Sequence, residues 1–182
     1  MNLMPQGQEP TKKRPAIPKG GNDCIMTPDS LALAIVGHFK PHGYSILEPC
    51  EGTGAFVRAF VRVFETWGTK IVFACEITKG SDFLTWDVPV DWIVTNPPWS
   101  QFLAFLKRSM AVADDIVFLA YANAWFVKSR INAMREAGFH FREFAYVDNP
   151  KKPWPQMGLQ LAAVHISRTP GNCKFSNIDW KP

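Results

Sequence analysis

The chain has 182 residues, 47% hydrophobic and 20% charged, which is ordinary for a globular protein and enough for one domain with a full core. No apolar run approaches the ~20 residues of a membrane span, and the N-terminus, MNLMPQGQEPTKKRPAIPKGGN, lacks an apolar core of signal-peptide length, so a cytoplasmic protein is expected. The net charge of +4 sits at the ends: residues 1–21 carry +3 and residues 168–182 carry +2, leaving the middle at −1. Cys24, Cys50, Cys75 and Cys173 are scattered without a CxxC pair, so reduced structural thiols are expected, with no disulfide and no metal site.

In chain order, residues 1–22 read as a flexible basic arm rich in Pro, Gly and Gln, followed by a folded domain over 23–168 and a C-terminal tail over 169–182. The arm is either a solvated tail, a tether to a polyanion, or both. Thr27-Pro28-Asp29 predicts a helix start, with Thr27 as N-cap, and SLALAIVGHF continues the helix to Pro41-His42-Gly43. YSILE is a short strand that leads through PCEGTGAF into the helical stretch AFVRAFVRVFETWG. TKIVFACE and DWIVT are the next two strands, and SQFLAFLKRSMAVA is a helix with Ser100 as its expected N-cap. DIVFLAYA is continuously apolar, as a strand buried on both faces would be. VKSRINAMREAGF is a helix closed by Gly138, and HFREFAYV and LQLAAVHIS are strands joined by the proline-rich loop DNPKKPWPQMG. This pattern predicts an α/β fold: a Rossmann-like, mostly parallel sheet with helices on both faces and a C-terminal antiparallel β-hairpin.

Ligands of such sheets bind at the carboxyl ends of the strands. The first strand ends in Glu48-Pro49-Cys50-Glu51-Gly52-Thr53-Gly54, where two glycines permit close approach to the backbone; a simple tight turn would look the same. The second ends at Glu76, an acid suited to the paired hydroxyls of a ribose, or else a solvated strand end. The third ends in Asn96-Pro97-Pro98-Trp99. Prolines cannot extend a sheet ladder, so the strand stops on an amide, two rigid residues and a large aromatic. His165 lies on an apolar strand and reads as a satisfied core histidine.

Taken together, LEPCEGTGAF, the acid of ACE, and NPPW resemble the ordered motifs of class I S-adenosylmethionine-dependent methyltransferases that modify exocyclic or amide nitrogens. CIMTPDSLA is similar to the element that precedes the first motif in these enzymes, and Asp82-Phe83 matches a pair that contacts the cofactor adenine. The resemblance spans residues 24–167 and implies S-adenosyl-L-methionine as cofactor. It further implies a cofactor set of Thr27, Pro28, Glu48, Pro49, Gly52, Gly54, Glu76, Ile77, Asp82, Phe83 and Asn96. Only five residues separate Glu76 from Asp82, so the helix between the second and third strands is expected to be missing.

The resemblance also gives NPPW a chemistry. An adenine amino group is a poor nucleophile because its lone pair is delocalised into the ring. Asn96 and the Pro97 carbonyl are expected to accept its two N–H bonds, and Pro98 to stiffen the turn. Trp99 is expected to stack on a base turned out of its strand, or else to fill the core beneath the turn. Trp154, Lys151 and Lys152 of the hairpin loop, with Lys128 and Arg130, form the expected substrate rim, the alternative being a proline-stiffened exposed loop. No stretch remains for a target-recognition domain, which suggests low sequence specificity, a homodimer or a partner protein. DNA adenine is the expected acceptor; RNA adenine, a protein glutamine, and a non-catalytic cofactor-binding module are the alternatives.

Overall fold

The computed structural model describes residues 25–67, 71–152, 154–156 and 158–181, with the side chains of 64–67 excepted. The expected N-terminal arm and Cys24 lie outside the described residues. Among those described, seven strands form one sheet: β1 (Ser45–Glu48), β2 (Ile71–Ala74), β3 (Val90–Thr95), β4 (Ala113–Tyr121), β5 (His140–Val147), β6 (Leu161–Ser167) and β7 (Lys174–Asn177). Their order is β2-β1-β3-β4-β6-β5-β7. β1 to β4 are mutually parallel, and β6 runs antiparallel to both β4 and β5, so the expected mostly parallel sheet with a C-terminal antiparallel hairpin is what the chain forms.

Four α-helices cover the sheet: α1 (Asp29–Phe39), α2 (Ala55–Trp67), α3 (Phe102–Val112) and α4 (Lys128–Glu136). Successive strand residues point to opposite faces and so divide the core in two. Trp92, Val94, Val117 and Leu119 pack with Leu31, Ile35, Phe56 and Phe60 of α1 and α2. Ile93, Ile116 and Phe118 pack with Phe102, Leu106 and Met110 of α3. β4 is buried along most of its length, the environment its unbroken apolar run demands.

Several local expectations change. Pro28, with extended backbone at φ −61° and ψ 143°, is the N-cap of α1, so Thr27 stands one residue too early to cap it. α3 begins at Phe102, because the prolines of NPPW lead first into a 3-10 turn over Trp99–Gln101; Ser100 lies inside that turn and is not the cap. The segment read as a tail adds β7, parallel to β5, and continues to Ile178, whose N–H donates to the Tyr146 carbonyl.

As expected, no α-helix joins β2 to β3. Two 3-10 turns, Ile77–Lys79 and Phe83–Thr85, make the crossing. Each is capped by an acid: Glu76 accepts from Thr78 N–H and Asp82 from Leu84 N–H. Phe83 anchors the crossing by burying itself against Phe105 of α3, ring centroids 5.2 Å apart. No helix among the described residues is long and apolar enough to cross a membrane.

Candidate active site

The carboxyl ends of β1, β2, β3 and β4 share one edge of the sheet, and their tips are tied together. Cys75 N–H donates to the Glu48 carbonyl (2.8 Å) and Glu51 N–H to the Cys75 carbonyl (2.9 Å), fixing the turn after β1 against the end of β2. Glu48 is 1% exposed. Its Oε1 accepts from Cys50 N–H at 2.9 Å and from the Thr95 hydroxyl at the end of β3. Its Oε2 is buried and has no partner. Burial pushes the carboxyl up to about 8, against the hydrogen bonds from Thr95 and Cys50, and the charges of Glu51 and Glu76 add to the rise. Burial likewise raises the Cys50 thiol, which keeps it neutral and a poor nucleophile.

Glu76 organises the next tip. Its Oε2 accepts from Gly52 N–H (2.9 Å), and its Oε1 from the N–H (3.1 Å) and hydroxyl (2.8 Å) of Thr78. Burial opposes ionisation here, but the bonds from Thr78 and Gly52 outweigh it and hold the carboxyl below its ordinary value. The same carboxylate therefore shapes the glycine turn and carries a stable negative charge. Gly52 has φ +51° and Gly54 φ +84°, conformations that favour glycine; a Cβ on Gly52 would meet the Met26 sulfur at 2.9 Å.

These tips enclose a cavity of about 410 Å³, within the range of small-ligand sites. Pro49, Gly52, Glu76, Ile77, Asp82, Phe83 and Asn96 of the anticipated set line it. Ile77, 69% exposed, presents an apolar wall beside the two acids Glu76 and Asp82. Glu48, Gly54, Thr27 and Pro28 are absent from its lining. Glu48 braces the turn from below, Gly54 forms the turn's far side, and Thr27 lines a smaller adjoining cleft. Met26, Cys50, Ser81 and Gln101 line the main cavity without having been singled out; they are ordinary residue types, and only their position beside the motifs pointed to them.

Asn96 stands where β3 reaches the cavity. Its Nδ2 donates to the Ile25 carbonyl at 2.9 Å, which fixes the amide orientation, and its Oδ1 is buried without a hydrogen-bond partner. Pro97 is buried and Pro98 lines the cavity. Trp99 is half-buried, with its ring 4.7 Å from Tyr121 and 6.1 Å from Trp154.

The expected substrate rim departs from expectation at two residues. Trp154 is 4% exposed, folded down behind Trp99 and not presented to solvent. The loop is held in that position by Gln156, which donates to the Pro150 and Trp154 carbonyls, and by the Tyr121 hydroxyl, which donates to the Pro155 carbonyl. Arg130 does not extend a basic rim: its guanidinium donates to the Ala124 carbonyl and lies 4.2 Å from the centre of the Phe102 ring. Lys128, Lys151 and Lys152 are exposed. His165 bonds Asp115 at 2.8 Å and stacks on Trp92, a satisfied histidine at the opposite end of β3. No group of three or more candidate metal ligands occurs among the described residues.

No family model matches the sequence, and no curated protein matches it. Solved structures do. A provisionally assigned class I S-adenosylmethionine-dependent methyltransferase from Listeria monocytogenes superimposes with a TM-score of 0.64 at 14% identity, over 84% of this chain and 65% of that one. The fold is that of the class I S-adenosylmethionine-dependent methyltransferases. The type I restriction-modification methyltransferase subunit from Streptococcus thermophilus gives 0.60 at 15% identity, over 84% of this chain and 47% of that one. TrmK from M. capricolum, in complex with its cofactor product S-adenosylhomocysteine, gives 0.52 at 10% identity, over 74% of this chain and 67% of that one. The chain thus spans about half the length of the restriction subunit, and at these identities the likeness establishes the fold.

Proposed function

We propose that this protein transfers a methyl group from S-adenosylmethionine to the exocyclic N6 amino group of adenine in nucleic acid, with DNA the favoured acceptor. The observation that carries the reading is Asn96. Asn96 lines the cavity; one side of its amide is anchored on the Ile25 carbonyl, and the other carries a buried acceptor, Oδ1, without a partner. A buried acceptor without a partner is costly, and the N–H of an amino group would satisfy it.

The cavity fits the cofactor in chemical character. Ile77 and Phe83 offer apolar contact to a nucleobase, Glu76 and Asp82 offer acceptors to hydroxyl and amino groups, and Gly52 keeps the turn low. When bound, the cofactor supplies the methyl: the amino nitrogen forms the N–C bond as the C–S bond breaks, the pair departs with sulfur, and a proton leaves to solvent. Asn96 Oδ1 and the Pro97 carbonyl accept the two N–H bonds and steer the nitrogen lone pair toward the methyl. Asn96 does not ionise, so its contribution is positioning and electrostatics. Trp99 offers a flat wall to the base, backed by Tyr121 and Trp154. The exposed Lys151 and Lys152 suit phosphates.

The test is incubation with methyl-labelled cofactor and, separately, duplex DNA, single-stranded DNA, RNA and a protein extract, followed by digestion. Labelled N6-methyladenine nucleoside is expected, highest from DNA. Label confined to protein glutamine would overturn the acceptor assignment.

A further inference from the structure

Away from the cavity, on the α3–α4 face of the sheet, an aromatic column reaches solvent. Phe126 stacks on Phe144 with centroids 5.5 Å apart and planes within 7°. Phe175 of β7 stacks on Phe144 as well, at 5.7 Å and 19°. Phe144 is buried, while Phe126 and Phe175 are 64% and 68% exposed. Val127 beside them is 44% exposed. Burying two phenylalanines would be favourable, and this fold instead holds them parallel at the surface.

Residues 122–135 contain Lys128, Arg130 and Arg135 and no Asp or Glu, while Arg168 is paired with Asp114. Lys128, two positions from Phe126, is itself exposed. Lys174 is registered with Glu143, one residue before the Phe144–Phe175 pair, so both belong to the other face, where Glu143 is held by His38 (2.7 Å) and Ser176. The column also connects to the candidate site: the 3-10 turn Ala122–Phe126 leaves the carboxyl end of β4, next to the end of β3 that carries Asn96. Parallel exposed rings with a flanking ammonium group are the chemistry that holds unpaired bases and a phosphate.

We propose that Phe126 and Phe175 form a stacking platform for unpaired bases of a nucleic acid, outside the catalytic cavity, with Lys128 meeting a phosphate. The platform rests on the nucleic-acid reading of the acceptor and identifies where that acceptor is gripped.

The test uses fluorescein-labelled twelve-residue oligo(dT) and oligo(rU) in anisotropy titrations of the full chain. Neither oligonucleotide offers an exocyclic amino group, so the binding read here is separate from methyl acceptance. The double variant Phe126→Ala/Phe175→Ala should weaken binding at least about tenfold, the scale of losing base–aromatic stacks, with the salt slope unchanged. Phe175→Trp should bind as wild type. Lys128→Gln should flatten the slope of log affinity on log salt by about 0.7, from one single-strand phosphate contact. Preference for oligo(dT) over oligo(rU), or the reverse, distinguishes a DNA from an RNA platform. Unchanged affinity in the double alanine variant, or no binding by the wild type, overturns the platform. A wild-type dimer that becomes monomeric in that variant, with oligonucleotide binding intact, overturns it in favour of contact between copies. Binding to the platform without any methyladenine product would instead sink the reaction and leave the platform standing.

Discussion

Glu48→Gln should remove a large part of the pH dependence of folding. In the native state the Glu48 carboxyl titrates at about 8, against an ordinary 4.5. Burial is the main cause. The native protein therefore binds a proton more tightly than the unfolded chain does. The favourable contribution is complete below pH 4.5, declines as pH rises, and is gone above about 8. A tenfold difference in proton affinity is worth about 1.36 kcal/mol, so the full loss is about 5 kcal/mol, and about 2–3 kcal/mol of it falls between pH 5 and pH 7. The glutamine carbonyl can still accept from Cys50 N–H and Thr95, and its amide cannot ionise. Whatever fixed cost the substitution carries, the stability difference between variant and wild type should move in the variant's favour by that amount across the window. Urea unfolding at pH 5, 6, 7 and 8 measures it, and other titrating groups cancel in the difference. A difference that stays flat would falsify the claim that this buried carboxyl holds its proton.

Three further outcomes follow from the site. Asn96→Ala should abolish turnover while leaving S-adenosylhomocysteine affinity near wild type by calorimetry; robust turnover would dismiss the amide's role. Gly52→Val forces a β-branched residue to φ +51° and drives its Cβ to within 2.9 Å of the Met26 sulfur at the cavity wall, so cofactor-product affinity should fall at least about tenfold in the same assay. If the affinity holds, the cavity does not take the cofactor at this turn. Trp154→Ala should cost about 3–5 kcal/mol of stability as a buried aromatic, with Trp154→Phe recovering most of it; a surface-like loss below about 0.5 kcal/mol would show that the loop does not rest on this side chain.

The strands that build the sheet were legible because burial leaves an apolar signature. DIVFLAYA could hardly be anything but a strand covered on both faces, and the prolines of NPPW marked where β3 had to stop. The short span between Glu76 and Asp82 likewise excluded a crossover helix. What stayed hidden depended on partners distant in sequence. β7 is four residues, KFSN, whose one large apolar side chain is exposed; its pairing is dictated by the open edge of β5. Trp154 sits in a stretch that reads as a rigid exposed loop, and its burial follows from Tyr121 and Gln156 drawing the loop down. Arg130 read as a free cation because nothing in its neighbourhood announces the Ala124 carbonyl or the Phe102 ring. Met26 and Gln101 reach the cavity by geometry alone.

The bond from Asn96 Nδ2 to the Ile25 carbonyl has a practical side. Residue 25 contributes no strand and no helix, so trimming the chain to begin at Thr27 would spare every regular element among the described residues. Such a shortened protein would unfold normally and give an ordinary spectrum of secondary structure, yet the amide at position 96 would be free to turn over and present its NH₂ to the cavity. Anyone mapping a minimal domain by solubility and melting alone would accept that boundary. The first residue worth keeping is set by a side chain seventy-one positions away.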